Sequence, residues 1–321
     1  MRRVALIYNP MSGQHPERRA AAIADVAAVL RGAGIAVEAI ATESPESAGR
    51  QAQEAVRAGC DTVLACGGDG TVHEVLQRMV GGTAALGVVP MGTANALATD
   101  LELPASPVKA AKMLLQATPV RIGVGHLFYR SVEGGERSRY FIVAAGVGAD
   151  AFFFSRLDSR LKRRFGYLLY LVEAIRVWAT YRFPLFTASF TESEGGVPRA
   201  MEASQLLAVR IGNFGGLVNH LVPGASLGND RLRAIVFKTR SRMRYLRFIA
   251  AAMFGLQTYT RTIELVKCVS VECRSVEGPA DGIFVEADGE LLGTLPVRIE
   301  AVPQALTLLV PAKVLGRLSQ L

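Results

Sequence analysis

This chain of 321 residues has few of the side chains that build redox, metal or base-stacking sites. Its four cysteines, Cys60, Cys66, Cys268 and Cys273, form no C-x-x-C pair, and no histidine stands near one at ligand spacing. That argues against structural zinc and suits thiols kept reduced in a cytosol. One tryptophan and eight tyrosines, not interleaved with basic residues, offer no stacking platform, which argues against nucleic acid as a partner. His15, His126 and His220 lack matching partners and are assigned no chemistry. The first apolar run, VALIY, is too short for a signal peptide and ends at Asn9-Pro10. The most membrane-like stretch, FGYLLYLVEAIRVWATYRF (165–183), is interrupted by Glu173 and Arg176. It falls short of an uninterrupted span of roughly 18 residues. Neither G-x-x-x-x-G-K-[ST] nor G-x-G-x-x-G occurs, which removes the two commonest phosphate loops.

What is present is apolar and basic. Half the residues are hydrophobic and a fifth are charged, enough to bury a large core in two domains. Lysine plus arginine exceed the acids by 36 to 28, a net charge of +8 that is compatible with anionic partners such as a nucleotide or an acidic membrane surface.

Residues 1–119 alternate between short apolar strands (3–9, 36–42, 62–66, 85–90) and helical stretches that open at Pro16, Pro45, about Val72 and near Asn95. Repeated β-α units of this kind predict an open parallel sheet with right-handed crossovers. After Pro119, strand-like runs at 139–145, 185–191, 204–212, 232–237, 263–273 and 297–310 are separated by Gly-rich turns. The expected fold class is therefore α/β plus β. A nucleotide-binding domain spans 1–119, and a mainly antiparallel, substrate-binding β domain spans 120–310. The tail 311–321 returns to the first.

Three strand ends in the first half carry unusual loops: NPMSG (9–13), GGDGT (67–71) and PMGTAN (90–95). Ligands of open α/β sheets collect beyond such carboxyl ends. Thr71 and Glu74 have capping-box spacing, and Asn95 is a plausible N-cap. Small residues, amide donors and hydroxyls suit a polyphosphate, yet Asp69 would repel one unless a cation stands between them.

The stretches NPMSG, GGDGTVHEVL and PMGTANALATDLELP resemble, in order and spacing, the catalytic motifs of the diacylglycerol kinase and sphingosine kinase superfamily. The likeness is greatest to its soluble bacterial lipid kinases. It continues through 145–178, through VRIGNFGGLVNHLVPGAS (209–226) and through VEADGELLGTLPVRIEAVP (285–303). The resemblance implies a lipid kinase that uses ATP and Mg²⁺. It places Asn9, Ser12, Gly13, Gly67, Gly68, Gly70, Thr71, Gly92, Thr93 and Asn95 at the nucleotide. Asp69 then faces a metal-neutralised phosphate. Asp288 is implied as the base that takes the lipid hydroxyl's proton, with Glu290 orienting it or assisting with metal. By spacing alone, Asp288-Gly289 reads equally as a hairpin turn.

Three departures from the family pattern stand out. His73 replaces a frequent Asn, and Ala96 replaces a common Asp. In SLGNDRLRAIV (226–236), Gly228 and Asn229 replace two acids, leaving Asp230 as the sole candidate for a structural Mg²⁺. Alternatives to a diacylglycerol kinase are a sphingoid-base, ceramide or NAD-type kinase, and an inactive nucleotide-responsive lipid-binding protein. Two basic stretches beside apolar residues, 160–171 and 239–255, suit peripheral docking on an anionic membrane. In the second, Arg240, Arg244 and Arg247 share one helical face, with Met243, Leu246, Phe248 and Met253 elsewhere. The expected location is cytoplasmic, at the inner face of the membrane, and the resemblance implies a homodimer.

Overall fold

The structure is a computed structural model that describes residues 1–11, 16–44, 46–131, 134–156, 175–215, 221–276 and 283–319. Ser12, Gly13, His15, His220 and the basic stretch 160–171 lie outside these residues.

One compact unit comprises Met1–Val124, Ser226–Asn229 and Pro303–Leu321. Its strands β1 (Arg3–Tyr8), β2 (Ala36–Ala41), β3 (Thr62–Gly67) and β4 (Ala85–Pro90) are joined by the end of β15 (Glu290–Val310). All pair in parallel, in the order β2-β1-β3-β4-β15. β3 and β4 are buried along their whole length, as near-continuous apolar sequence requires when helices cover both faces of a parallel sheet. Leu6, Ile7, Leu64 and Leu86 are fully buried, each contributing about 1.5–3 kcal/mol by leaving water. The helices α1 (Pro16–Gly32), α2 (Ser47–Arg57), α3 (Asp69–Met79), α4 (Ala96–Asp100) and α5 (Pro107–Leu114) supply the crossovers.

The second unit comprises Gly125–Ala225 and Asp230–Val302. Its strands are β5 (Thr118–Ser131, from Gly125 onward), β6 (Glu136–Phe141), β7 (Ala144–Val147), β8 (Phe186–Thr191), β9 (Arg199–Ala203) and β10 (Gln205–Val209). They continue with β11 (Leu232–Phe237), β12 (Ile263–Cys268), β13 (Ser270–Ser275), β14 (Phe284–Ala287) and the first part of β15. The order β12-β11-β10-β7-β14-β15 is antiparallel throughout, with β13-β8-β9 continuing from β15 and the β5-β6 hairpin also paired to it. Phe141, Phe186, Phe190, Leu206, Val271, Val285 and Ile299 pack in its core. The helices α6 (Ala149–Arg156) and Arg242–Met253 are inserted between strands.

The fold class is the expected one, an α/β parallel-sheet part with an antiparallel β part. The units divide at 124/125 rather than 119/120, and the segment returning to the first unit starts at Pro303 rather than 311. The run 263–273 is two strands parted at Val269, whose amide bonds to Thr191. All four cysteines are buried and free. Among the described residues, no helix is long and apolar enough to cross a membrane.

Candidate active site

In the first unit β3 carries its apolar run to Gly67, and Gly68 stands in extended backbone as the N-cap of α3. That helix starts at Asp69, three residues before the expected Val72, and no side chain caps it. The capping box does not form, because α2 lies against α3 and Glu74 Oε2 accepts the Ala48 amide instead, at 3.2 Å. Thr71 Oγ1 packs over Gly67, where a Cβ would collide with it.

Asp69 turns its charge toward backbone. Its two carboxylate oxygens accept the amides of Asn95 (2.9 Å) and Ala96 (2.8 Å), capping α4 from a different loop. An acid at a helix N-terminus is stabilised by the unpaired amides and the helix dipole. Asn95 is itself the N-cap of α4, in left-handed backbone with φ 51°, but it makes no side-chain cap bond. Its side-chain amide closes the 92–95 loop, with Oδ1 accepting from the Gly92 amide (3.0 Å) and Nδ2 donating to the Gly92 carbonyl (2.7 Å). The Met91 amide donates to the Gly67 carbonyl at 2.8 Å. A Cβ on Gly92 would lie 2.5 Å from Gly68 Cα, so the two glycine loops touch backbone to backbone. Asn9 Oδ1 accepts the Met11 amide at 2.8 Å in the loop after β1. Gly70 and Thr93 are exposed.

Sequence inspection passed over Arg19, which lies in an alanine-rich helix and carries no motif. It is 93% buried by its 7% exposure, donates to the Met91 carbonyl at 3.0 Å, and leaves Nε and Nη1 without partners among the described residues. Burial pulls its pKa down, the expected response of a desolvated cation. An orphaned guanidinium beside a loop of amides and small residues is chemistry for an anion. The rim therefore fits a nucleotide polyphosphate. A magnesium ion carried in by that nucleotide also fits. Such ions take hard oxygens, mostly from phosphate, with one or two protein carboxylates, and the carboxylate of Asp69 would be the candidate here.

In the second unit Asp288 and Gly289 form the tight turn between β14 and β15, both in left-handed backbone (φ 49° and 82°). The hairpin-turn reading of Asp288-Gly289 is therefore the observed one. Asp288 Oδ1 accepts the Val143 (2.9 Å) and Ala144 (3.1 Å) amides, and Oδ2 accepts that of Ile142 (3.0 Å). Three amides thus hold the carboxylate in one orientation. Glu290 forms an ion pair with Arg139 at 3.5 Å.

Behind the turn sits a pair of acids that motif reading did not pick out. Glu286 is buried and accepts the Gly289 amide at 2.8 Å. Asp150 Oδ1 accepts the Ala151 amide at 2.8 Å, while Oδ2 is sealed from solvent with no hydrogen-bond partner among the described residues. Both side chains crowd Gly146, where a Cβ would strike them. Burial pushes Asp150 up to about 7. Glu286 is raised well above the usual carboxylate range, by burial first and by Asp150 second.

Asp230, the structural-metal candidate, is exposed. Buried Arg210 is attracted to it and donates to the Arg231 carbonyl at 2.9 Å. Among the described residues no three acids, histidines or cysteines cluster as a metal site. His73 is buried and hydrogen-bonded with Gln77 one turn on.

The sequence matches the family described as "Diacylglycerol kinase catalytic domain" over residues 3–127 and "YegS C-terminal NAD kinase beta sandwich-like domain" over 142–310. It is 26% identical to a Bacillus subtilis protein named "Diacylglycerol kinase" across 92% of each chain. It is 30% identical to a Chromohalobacter salexigens protein named "Probable lipid kinase YegS-like", across 95% of this chain and 92% of the other. A crystal structure of a Bacillus anthracis diacylglycerol kinase shares the fold, with a TM-score of 0.72 and 98% of each chain covered at 20% identity. Yeast NADH kinase shares it more distantly, with a TM-score of 0.51 at 9% identity, 98% of this chain and 84% of that one being covered. With matched regions in both halves and a relative spanning nearly its full length, the chain belongs to the diacylglycerol kinase and YegS-like family of lipid kinases.

Proposed function

We propose that this lipid kinase transfers the γ-phosphoryl group of ATP, with Mg²⁺, to the free hydroxyl of diacylglycerol. The observation that carries the nucleotide assignment is the contact of Gly68 with Gly92, latched by Asp69 onto the amides of Asn95 and Ala96. A bare backbone surface lets phosphate oxygens approach amides closely, as no loop with side chains there could. Asn9, Ser12, Gly13, Gly67, Gly70, Thr71 and Thr93 are assigned to the same nucleotide site. Arg19 stands behind Met91 as a fixed positive charge. Bound magnesium would neutralise charge on the phosphate oxygens, with Asp69 as its protein carboxylate.

Asp288 is assigned as the base. As the lipid hydroxyl oxygen attacks the γ-phosphorus, its proton passes to the Asp288 carboxylate, the γ-phosphorus–oxygen bond breaks, and ADP leaves. The three amides on Asp288 keep that carboxylate from rotating away, so its orientation costs nothing at the moment of transfer. Glu290, two residues on, is paired with Arg139 and is assigned to assist it. Diacylglycerol is favoured because relatives from Bacillus subtilis and Mycobacterium tuberculosis, each matched over more than nine-tenths of its length, carry that name. A membrane-resident substrate and an ATP donor would together bring the enzyme to the cytoplasmic face of a bilayer.

The experiment is transfer of label from γ-labelled ATP to diacylglycerol, sphingosine, ceramide, phosphatidylglycerol and NAD, each with magnesium. Labelled phosphatidate as the dominant product is the expected result. Labelled NADP, or label in another lipid alone, would overturn the substrate assignment.

A further inference from the structure

The helix Arg242–Met253 carries three stripes where an ordinary surface helix carries two. Tyr245, Phe248 and Ala252 form the buried stripe, and Tyr245 stacks on Phe237 at 4.4 Å between ring centroids. Sequence periodicity set Phe248 with Met243, Leu246 and Met253 off the arginine face; the structure puts Phe248 alone of these in the core, and Arg240 precedes the helix rather than sharing its face. The second stripe is apolar and open to water. Met243, Leu246, Ile249 and Met253 are exposed, and the ridge continues past the helix into Phe254 and Leu256, which are 76% and 71% exposed. Met243, Leu246, Ile249 and Met253 follow one another at spacings of three and four along about 15 Å of helix. The third stripe is basic, with Arg244 and Arg247 one turn apart on the flank.

Charge continues beyond the helix. Arg182, Arg240 and Arg242 line a shallow pocket of about 380 Å³ at its start, beside Ser241 and Met243. Arg242 donates to the Tyr181 carbonyl, and Trp178 Nε1 donates to the Arg242 carbonyl, which fixes the pocket wall. From residue 239 to residue 262 the sequence has five arginines and no acid. Arg182, Arg240, Arg242, Arg244 and Arg247 form no ion pair among the described residues, whereas Arg50, Arg199 and Lys238 elsewhere do. Single exposed apolar residues are ordinary on a protein surface, but a contiguous ridge of six with an all-positive border is not.

We infer that this ridge and its arginine collar form the docking surface by which the enzyme seats on an anionic phospholipid bilayer, with the pocket of Arg182, Arg240 and Arg242 receiving a lipid phosphate. The inference rests on the lipid-kinase reading for its purpose but on charge complementarity for its partner. Met243, Leu246, Ile249, Met253 and Phe254 enter the boundary of headgroups and acyl chains, while the guanidinium groups stay at phosphate level. A second copy of this chain suits the surface less well, because two such collars would meet with like charge.

The test is sedimentation of the full chain with phosphatidylcholine vesicles, with and without phosphatidylglycerol, in the absence of ATP. The wild type should bind the anionic vesicles and release as salt rises. Arg244→Glu with Arg247→Glu, and separately Leu246→Ser with Ile249→Ser, should each weaken binding about tenfold or more. Lys109→Glu with Lys112→Glu, the same charge change on α5, should stay within about twofold. An unchanged thermal midpoint shows that the ridge variants fold, since all four positions are exposed. Wild-type binding by the Arg244/Arg247 variant would overturn the inference. So would an equal loss in the Lys109/Lys112 control, or a dimer in sedimentation equilibrium that the Leu246/Ile249 variant dissolves while vesicle binding persists. Failure of the docking surface would leave labelling of dispersed short-chain diacylglycerol intact. Failure of the kinase reading would leave that assay blank while vesicles still bind.

Discussion

Asp69 and Asp288 are both held by backbone amides, and that restraint suits the role proposed for each. An acid in a phosphate loop would repel its ligand if it pointed outward unshielded. Here both Asp69 oxygens take amides from the neighbouring loop. Asp69→Ala should strand the Asn95 and Ala96 amides at a cost of about 1–2 kcal/mol in denaturant unfolding. The same change should lower ATP affinity at least about tenfold by titration, on the scale of a lost charge-assisted contact. Unchanged affinity would remove Asp69 from the nucleotide site. Asp150 and Glu286 make a different prediction, because burial raises both carboxyls. The native state then holds protons that the unfolded chain has released, so stability is fully present below about pH 4 and falls as pH rises toward about 7. The slope is on the order of 1 kcal/mol per pH unit in that window. Asp150→Asn should flatten this dependence in urea unfolding measured at pH 5 and pH 8, and an identical slope in the variant would place the titrating group elsewhere.

Elements show which signals a sequence can carry. The apolar strands of the first unit, and the helix after Pro16, were legible because burial on both faces and proline at the first helical turn act locally, whereas the short helix opened by Pro107 was missed. The glycine loops were visible as glycines, but their contact depends on two strand ends being neighbours, which no local pattern encodes. Gly92→Ala should force apart Gly68 and Gly92 and reduce ATP affinity severely. Gly32→Ala, at the open end of α1, should leave it unchanged. Equal affinities in the two variants would refute the cradle. β5 escaped notice because its proline and glycines read as a junction, and β12 and β13 merged because the break at Val269 is made by a long-range amide bond to Thr191. The capping box at Thr71 and Glu74 was misleading for a similar reason, since α2 claims Glu74. Arg19 and the Asp150–Glu286 pair were illegible because burial, rather than spacing, makes them unusual.

On the scale of the whole molecule, the chain leaves the first unit at 124, touches it again over Ser226–Asn229 and returns to it for good at Pro303. The end of β15 pairs with β4 through Thr307 and Leu308, and the C-terminal helix Ala312–Ser319 holds Arg317 near Glu102 and against the Asp100 carbonyl. Truncation after 311 should therefore lower the thermal midpoint modestly. Truncation after 302, which strips a strand from the parallel sheet, should abolish cooperative melting of that unit, and equal melting of the two truncations would contradict this account of the return. The proposed kinase divides two duties, a nucleotide rim in one unit and a proton acceptor in the other. The measurement that tests this division most directly is Asp288→Asn, with ATP affinity by titration and label transfer to diacylglycerol measured on the same preparation. The account predicts wild-type ATP affinity with transfer reduced by about a hundredfold or more, the scale of a lost general base. Transfer at the wild-type rate would contradict it.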